Sequence, residues 1–180
     1  MGYVQSSIFV AEHETEVMDM NDLEKEVFSK VKTIDYYTTV LKIKELKDMP
    51  VGFYYFGEYM DDPATIGNPV AMQRFYADTD IFLFWSYGNS ADIEGSTVSN
   101  LAIKAVQSMG GEVENVVLQR RFKYFPYVSN QDMKDRFYDR FETELQGMKN
   151  TYYVGGLLAF ELNTEKFILC NSLNLQALCK

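Results

Sequence analysis

The eight residues 81–88, IFLFWSYG, limit the fold of this chain more than any other stretch. Large apolar side chains occupy both alternating faces: Ile81, Leu83, Trp85 and Tyr87 on one, and Phe82 and Phe84 on the other. So short a run that is apolar on both faces is typical of a β-strand covered on both sides. The stretch therefore predicts the central strand of a sheet.

Three further segments, at 51–56, 69–77 and 116–125, are rich in β-branched and aromatic residues and are expected to be strands. The connection at 77–79 is short, so the second of them should pair antiparallel with the central strand. In the last segment, alternation predicts that four side chains point inward, namely Val116, Leu118, Phe122 and Tyr124.

The segment at 34–46 alternates more regularly than the others. Tyr37, Thr39, Leu41 and Ile43 share one face, while Lys42 and Lys44 share the other. This pattern predicts a half-exposed strand. Its lysines would suit the edge of a sheet, because charged side chains discourage pairing with other chains.

Helical spacing of apolar residues predicts three amphipathic helices. The first helix follows the N-cap residue Asn21 and carries Leu23, Val27, Val31 and Ile34. The second runs from Ser96 or Thr97 to Gly110. The third runs from Asn130 to Gly147 and carries Met133, Phe137, Phe141 and Leu145. A short strand is expected next in the segment NTYYVGGLLAFEL, before its two glycines.

We therefore predict an α+β fold with a mixed, mostly antiparallel, aromatic-rich sheet backed by amphipathic helices. Residues 1–162 are expected to form a single domain, and residues 163–180 an atypical apolar tail. No internal repeat or linker divides the chain.

The net charge of −9, with no run of Lys or Arg, disfavours a nucleic-acid partner, since phosphates would be repelled, and none is predicted. No apolar segment is long enough to span a bilayer. There is no basic region before an apolar core at the N-terminus, so no secretory signal is expected. For Cys170 and Cys179 a disulfide is one interpretation, but free thiols in a reducing compartment are favoured, and a cytoplasmic location is predicted.

Residues for metal or nucleophilic chemistry are scarce. His13 is the only histidine and lies among glutamates, which favours a solvated role over a catalytic triad or a zinc site. Glu58, Asp61 and Asp62 lie in a turn and are interpreted as solvated, so no metal site is predicted. The glycines form neither a Walker loop nor a G-x-G-x-x-G fingerprint.

Two interpretations are open for the strand aromatics, which are Phe53, Tyr54, Tyr55, Phe56, Tyr59, Trp85 and Tyr87. Such residues most often pack in a core, but their phenol groups favour a cavity, since buried hydroxyls need partners. In the second interpretation a substrate pocket is lined by Tyr54, Tyr55, Phe56, Trp85, Tyr87 and Arg120. Either Arg120 or Arg121 should point inward, to a salt bridge or to an anionic ligand group.

The segment order, and above all TYYVGG at 151–156 after a helix and a strand ending in FKYFPYV, resembles the C-terminal part of flavin-dependent amine-oxidase-like FAD/NAD(P)-binding oxidoreductases. This family is related to amine oxidases, phytoene desaturases and polyenoic fatty acid isomerases. The resemblance covers roughly 36–161. It implies an amine-oxidase substrate-domain-like fold and FAD as the cofactor, with residual flavin contacts from Tyr153, Val154, Gly155 and Gly156. The glutamate that many relatives carry after the first glycine is replaced by Gly156.

FAD is held in such folds by its pyrophosphate on a glycine turn that this sequence lacks. We therefore expect a truncated relative that does not bind FAD tightly and is not catalytic alone. It would act by association with a full-length flavoprotein relative or with itself. One alternative is a binding module for an apolar small molecule, lipid-like or isoprenoid, and another is an FAD-dependent oxidoreductase or isomerase.

Overall fold

The structure, a computed structural model, describes residues 6–9, 19–46, 48–59, 63–89 and 93–159, with the backbone alone at 6–9, 63, 89, 150, 154 and 159. It contains two compact units. One is Ile34–Tyr124, and the other comprises the described residues before 34 and after 124. The single domain predicted for 1–162 stays a prediction, and the predicted tail, His13 and both cysteines lie outside the described residues.

The described strands and helices, in chain order, are β1 (Ser6–Phe9), α1 (Asp22–Phe28), β2 (Lys32–Lys44), β3 (Gly52–Tyr55), β4 (Pro69–Arg74), β5 (Ile81–Asn89), α2 (Gly95–Ser108), β6 (Glu112–Tyr127), α3 (Asn130–Lys134), α4 (Phe137–Arg140), β7 (Thr151–Val154) and α5 (Gly156–Ala159). The predicted α+β class is confirmed. None of the described helices has the length and apolar character needed to cross a membrane.

The Ile34–Tyr124 unit is built on a five-stranded antiparallel sheet with the order β3-β4-β5-β2-β6. The stretch at 81–88 lies in β5, the middle strand, as predicted. Helix α2 covers one face of the sheet: its Ala102, Ala105 and Val106 pack in one buried cluster with side chains that include Leu41 of β2 and Phe84 of β5. Burial of this apolar layer is the main stabilising contribution in the unit.

Among the described residues, no helix covers the opposite face of the sheet, and three expectations are corrected by this exposure and by the strand order. Strand β5 is covered on one side only, since Phe82 and Phe84 are buried but Trp85 and Tyr87 are not. Strand β2 lies between β5 and β6, so it is not an edge. The four β6 side chains expected to point inward, Val116, Leu118, Phe122 and Tyr124, are exposed, because α2 covers only the other face of the sheet.

The second unit holds a parallel pair of strands, β1 with β7, and a separate core. Helix α1 has the predicted N-cap: Asn21 and Glu24 exchange backbone-to-side-chain hydrogen bonds in a capping box. The helix ends at Phe28, before the Val31 and Ile34 assigned to it from the sequence.

The helix predicted from Asn130 to Gly147 is interrupted. Arg136 takes a left-handed conformation with φ of 62°, which ends α3 and starts α4, and a π-helical turn follows at Phe141–Leu145. Phe137, Phe141 and Leu145 are nevertheless buried, as their spacing predicted, whereas Met133 is exposed.

Candidate functional site

The open face of the five-stranded sheet carries a groove of about 380 Å³. We call it the aromatic groove, and it is lined by Tyr36, Phe53, Tyr55, Val70, Ala71, Trp85 and Tyr87. Its volume falls within the range of small-molecule sites in proteins. All of its lining residues belong to the Ile34–Tyr124 unit.

Strand register explains why these side chains meet. Trp85 lies opposite Thr38 of β2 on one side and Ala71 of β4 on the other, and Ala71 lies opposite Tyr55 of β3. Directly opposite residues point to the same face of a sheet. The small side chain of Ala71 therefore forms a floor between Trp85 and Tyr55, and the larger rings stand around it.

The groove has two aromatic walls. In the first, Phe53 stacks on Trp85 with ring centroids 4.7 Å apart and an angle of 15° between the rings, and Tyr55 lies 5.1 Å from Phe53. Tyr55 is 69% exposed, so this wall is open to solvent. Such a wall offers flat apolar surface that a ligand can cover.

The second wall is formed by Tyr36 and Tyr87, whose ring centroids lie 5.4 Å apart. Tyr124, which does not line the groove, lies 5.6 Å from Tyr36. Burial raises the pKa of Tyr36 to about 12, and the neighbouring Tyr87 and Tyr124 add to this, so its phenol stays protonated at neutral pH. No residue that lines the groove is charged at neutral pH, which suits an apolar ligand part better than an ion.

The paired arginines separate onto the two faces of β6. Arg121 donates from Nε and Nη2 to Asp35, at 3.0 and 2.6 Å, and Lys123 lies 3.2 Å from the same carboxylate. Burial tends to raise the pKa of Asp35, but the bonds and charges of Arg121 and Lys123 outweigh it and lower that pKa below its ordinary value. The inward residue of the pair is thus Arg121, in a salt bridge.

Arg120 lies on the opposite face from Arg121, because successive strand residues alternate. That is the face of the aromatic groove, but Arg120 is not among the lining residues, and within the described part of the chain it forms no ion pair. Its predicted role at a substrate therefore stays a prediction.

The other predicted pocket residues divide between groove and core. Tyr55, Trp85 and Tyr87 line the groove. Tyr54 donates a hydrogen bond of 2.6 Å to the Pro50 carbonyl on the helix side, and Phe56 is buried against Phe84.

The predicted pocket set lacks Tyr36 and Phe53, although Phe53 is among the strand aromatics considered for a pocket. The strand period of two assigns Phe53 to the groove, because Phe53 shares a face with Tyr55 but not with Tyr54. Tyr36 required the pairing of β2 with β5, which places it opposite Tyr87.

The residues expected near a flavin lie in the second unit. The Tyr153 hydroxyl donates to Oε1 of Glu24 at 2.5 Å, and its ring packs against Phe28 and Phe141, so this side chain belongs to the core. Gly155 and Gly156 are buried, and of Val154 only the backbone is described. The turn presents buried backbone, and within the described residues no phosphate-binding turn accompanies it. Flavin contacts from them stay a prediction.

No group of three or more His, Cys, Asp or Glu side chains is placed to hold a metal ion within the ranges that the structure describes. Asp61 and Asp62, which the sequence analysis considered, lie outside those ranges.

Comparison with solved structures finds this fold in the crystal structure of a CLA-producing fatty acid isomerase from P. acnes. The TM-score is 0.78 at 24% sequence identity, and the match covers 95% of this chain and 40% of the isomerase chain. At this identity the likeness shows a shared fold. The chain thus spans well under half the length of the isomerase. No protein-family model and no curated protein sequence matches the chain.

The shared fold agrees at a coarse level with the family resemblance seen in the sequence, since that family is related to fatty acid isomerases. The finer assignment, to an amine-oxidase substrate domain, stays a prediction.

Proposed function

We propose that this chain binds the hydrocarbon part of a fatty-acid-like molecule in the aromatic groove. The observation that carries the proposal is the groove itself: about 380 Å³, uncharged, and walled by Phe53 stacked on Trp85. An apolar chain laid along these rings would remove apolar surface from water on both partners, which is favourable by about 25 cal/mol per Å². The shared fold with a fatty acid isomerase supports this ligand class over an isoprenoid.

Trp85 provides the test, because it is the only tryptophan and lies in the groove. We expect saturable quenching or a blue shift of its emission when a cis-unsaturated C18 fatty acid is titrated below its micelle concentration. Phe53→Ala should weaken binding about tenfold or more, since the stacked wall is lost.

The matched control is Phe75→Ala. Phe75 is exposed to the same degree as Phe53, 45% against 46%, but does not line the groove. Its removal should leave the affinity unchanged. Emission that does not respond to the fatty acid, or equal losses in the two variants, would overturn the proposal.

We further propose that the chain on its own binds without catalysing a reaction. Isomerase or oxidoreductase chemistry in the family that it resembles uses FAD, and the described residues give FAD no phosphate-binding turn. Association with a full-length flavoprotein relative would supply that cofactor.

The test is the visible absorbance of the purified chain before and after incubation with FAD and desalting. We expect no retained flavin absorbance. A yellow protein with isomerase activity would refute the non-catalytic part of the proposal, while the Trp85 titration would still decide whether the groove binds a fatty acid.

A further inference from the structure

Strand β6 is a long, exposed edge of the five-stranded sheet. It has 16 residues and pairs with β2 on one side, and in the described residues no strand lies on its other side. Its middle is exposed and apolar: Val116, Val117 and Leu118 are 40%, 51% and 43% exposed. Such an edge presents a row of backbone N–H and C=O groups that can pair with another strand.

The middle of β6 lacks the usual features that prevent edge pairing. Natural edges carry proline, inward-pointing charges or bulges at such places. The five residues 115–119, Asn-Val-Val-Leu-Gln, contain no charge, no proline and no glycine. This composition favours strand pairing.

The residues on either side of Val117 complement one another. Counting outward from Val117, Val116 corresponds to Leu118, Asn115 to Gln119, and Glu114 to Arg120. An antiparallel pair of identical strands related by a two-fold axis at Val117 would place each residue opposite its counterpart. Apolar side chains would then lie opposite apolar side chains, amides opposite amides, and Glu114 opposite Arg120. The two-fold axis forms each of these pairs twice.

The charges at the ends of this segment are available for such pairing. Arg120 forms no ion pair within the described ranges. Glu114 accepts a hydrogen bond from Lys42 through Oε1 at 3.1 Å, in a pair whose side chains are both 41% exposed. Its other carboxylate oxygen can take a guanidinium from outside, so the two contacts are compatible.

We propose that this chain forms a homodimer in which β6 pairs antiparallel with β6 of a second copy about a two-fold axis at Val117. The two five-stranded sheets then join into one sheet of ten strands. Glu114 of each copy lies opposite Arg120 of the other. This proposal is independent of the aromatic groove, whose lining residues lie on β2, β3, β4 and β5.

The test is a charge swap followed by sedimentation equilibrium. The wild-type chain should associate from 20.8 kDa to twice that mass. Glu114→Arg and Arg120→Glu should each weaken the dimer roughly tenfold or more, because each makes both cross-strand pairs like-charged. The double variant, Glu114→Arg with Arg120→Glu, should restore the dimer.

The matched control is Glu58→Arg, which makes the same charge change at an exposed position outside the sheet. It should leave the dimer unchanged. Circular dichroism and Trp85 emission confirm that each variant is folded. A wild-type chain that remains a monomer at 100 µM would overturn the proposed pairing. So would a double variant that dimerises no more tightly than the two single variants.

Discussion

At the scale of single residues, Tyr153 shows how one side chain joins several parts of the second unit. Its hydroxyl donates to Oε1 of Glu24, whose Oε2 accepts from the backbone N–H of Asn21. The backbone N–H of Tyr153 donates to the side-chain oxygen of Gln146, and the backbone C=O of Tyr153 accepts from the side-chain nitrogen of Gln146. One carboxylate thus caps α1 and fixes the ring of Tyr153 at the same time.

Tyr153→Phe should lower the free energy of unfolding by about 1–2 kcal/mol, because it removes the hydroxyl from a buried hydrogen bond to a charged group. The matched control is Tyr152→Phe, since the described residues include no hydrogen-bond partner for the Tyr152 hydroxyl. Urea denaturation of the wild type and both variants checks this. Equal stability of Tyr153→Phe and Tyr152→Phe would contradict it.

The same contact makes stability depend on alkaline pH. Burial, together with the bond and charge of Glu24, raises the pKa of Tyr153 above its ordinary value of 10.0. Because this pKa is higher in the folded than in the unfolded state, the contribution of Tyr153 to stability is complete below pH 10. It is lost progressively as pH rises from 10 through the folded-state pKa. The advantage of the wild type over Tyr153→Phe should therefore be constant from pH 7 to 9 and shrink above pH 10.

At the scale of elements, the contact between β2 and β5 depends on a glycine. A Cβ added to Gly88 of β5 would lie 2.4 Å from Cε2 of Tyr37 and 2.9 Å from Cβ of Asp35. The Tyr37 ring has little freedom to move, because its hydroxyl donates to the Ile93 carbonyl at 2.5 Å. Close packing at this point therefore requires glycine.

Gly88→Ala should lower the stability of the Ile34–Tyr124 unit by about 1–3 kcal/mol, the usual cost of overpacking. Gly57→Ala is the control, because a Cβ at Gly57 meets nothing within 4 Å. Thermal unfolding followed by Trp85 emission checks the difference. A melting temperature for Gly88→Ala equal to that of Gly57→Ala would show that the ring can move aside.

Some elements could be predicted from the sequence, and others could not, for a physical reason. Alternation identified the buried face of β2, because Lys42 and Lys44 mark its other face, and helical spacing identified α2, because its apolar residues form one stripe. In β6 both faces carry large apolar or aromatic side chains, so alternation could not show which face α2 would cover. The same limit applies to residues 53–56, where Phe53 and Tyr55 reached the groove but Tyr54 and Phe56 did not.

At the scale of the whole molecule, the two compact units have separate cores. Trp85 lies in the Ile34–Tyr124 unit, so its emission follows the unfolding of that unit. No pattern in the sequence marked the division, because β2 and β6 run continuously across both boundaries.

A fatty acid that binds the aromatic groove should raise the unfolding midpoint seen by Trp85. At a free concentration 100 times the dissociation constant, the expected stabilisation is about 2.7 kcal/mol. Phe53→Ala should show a smaller rise at the same concentration, and Phe75→Ala the full rise. A fatty acid that lowers the wild-type midpoint would mean that it prefers the unfolded chain.

Strand β3 has only four residues and pairs, among the described strands, with β4 alone, yet it supplies Phe53 and Tyr55, the outer wall of the groove. Short peripheral strands can detach locally at much lower free energy than global unfolding. Residence time in the groove would then be set by the detachment of β3, and hydrogen exchange at the amides of residues 52–55 would slow when a ligand holds the strand in place.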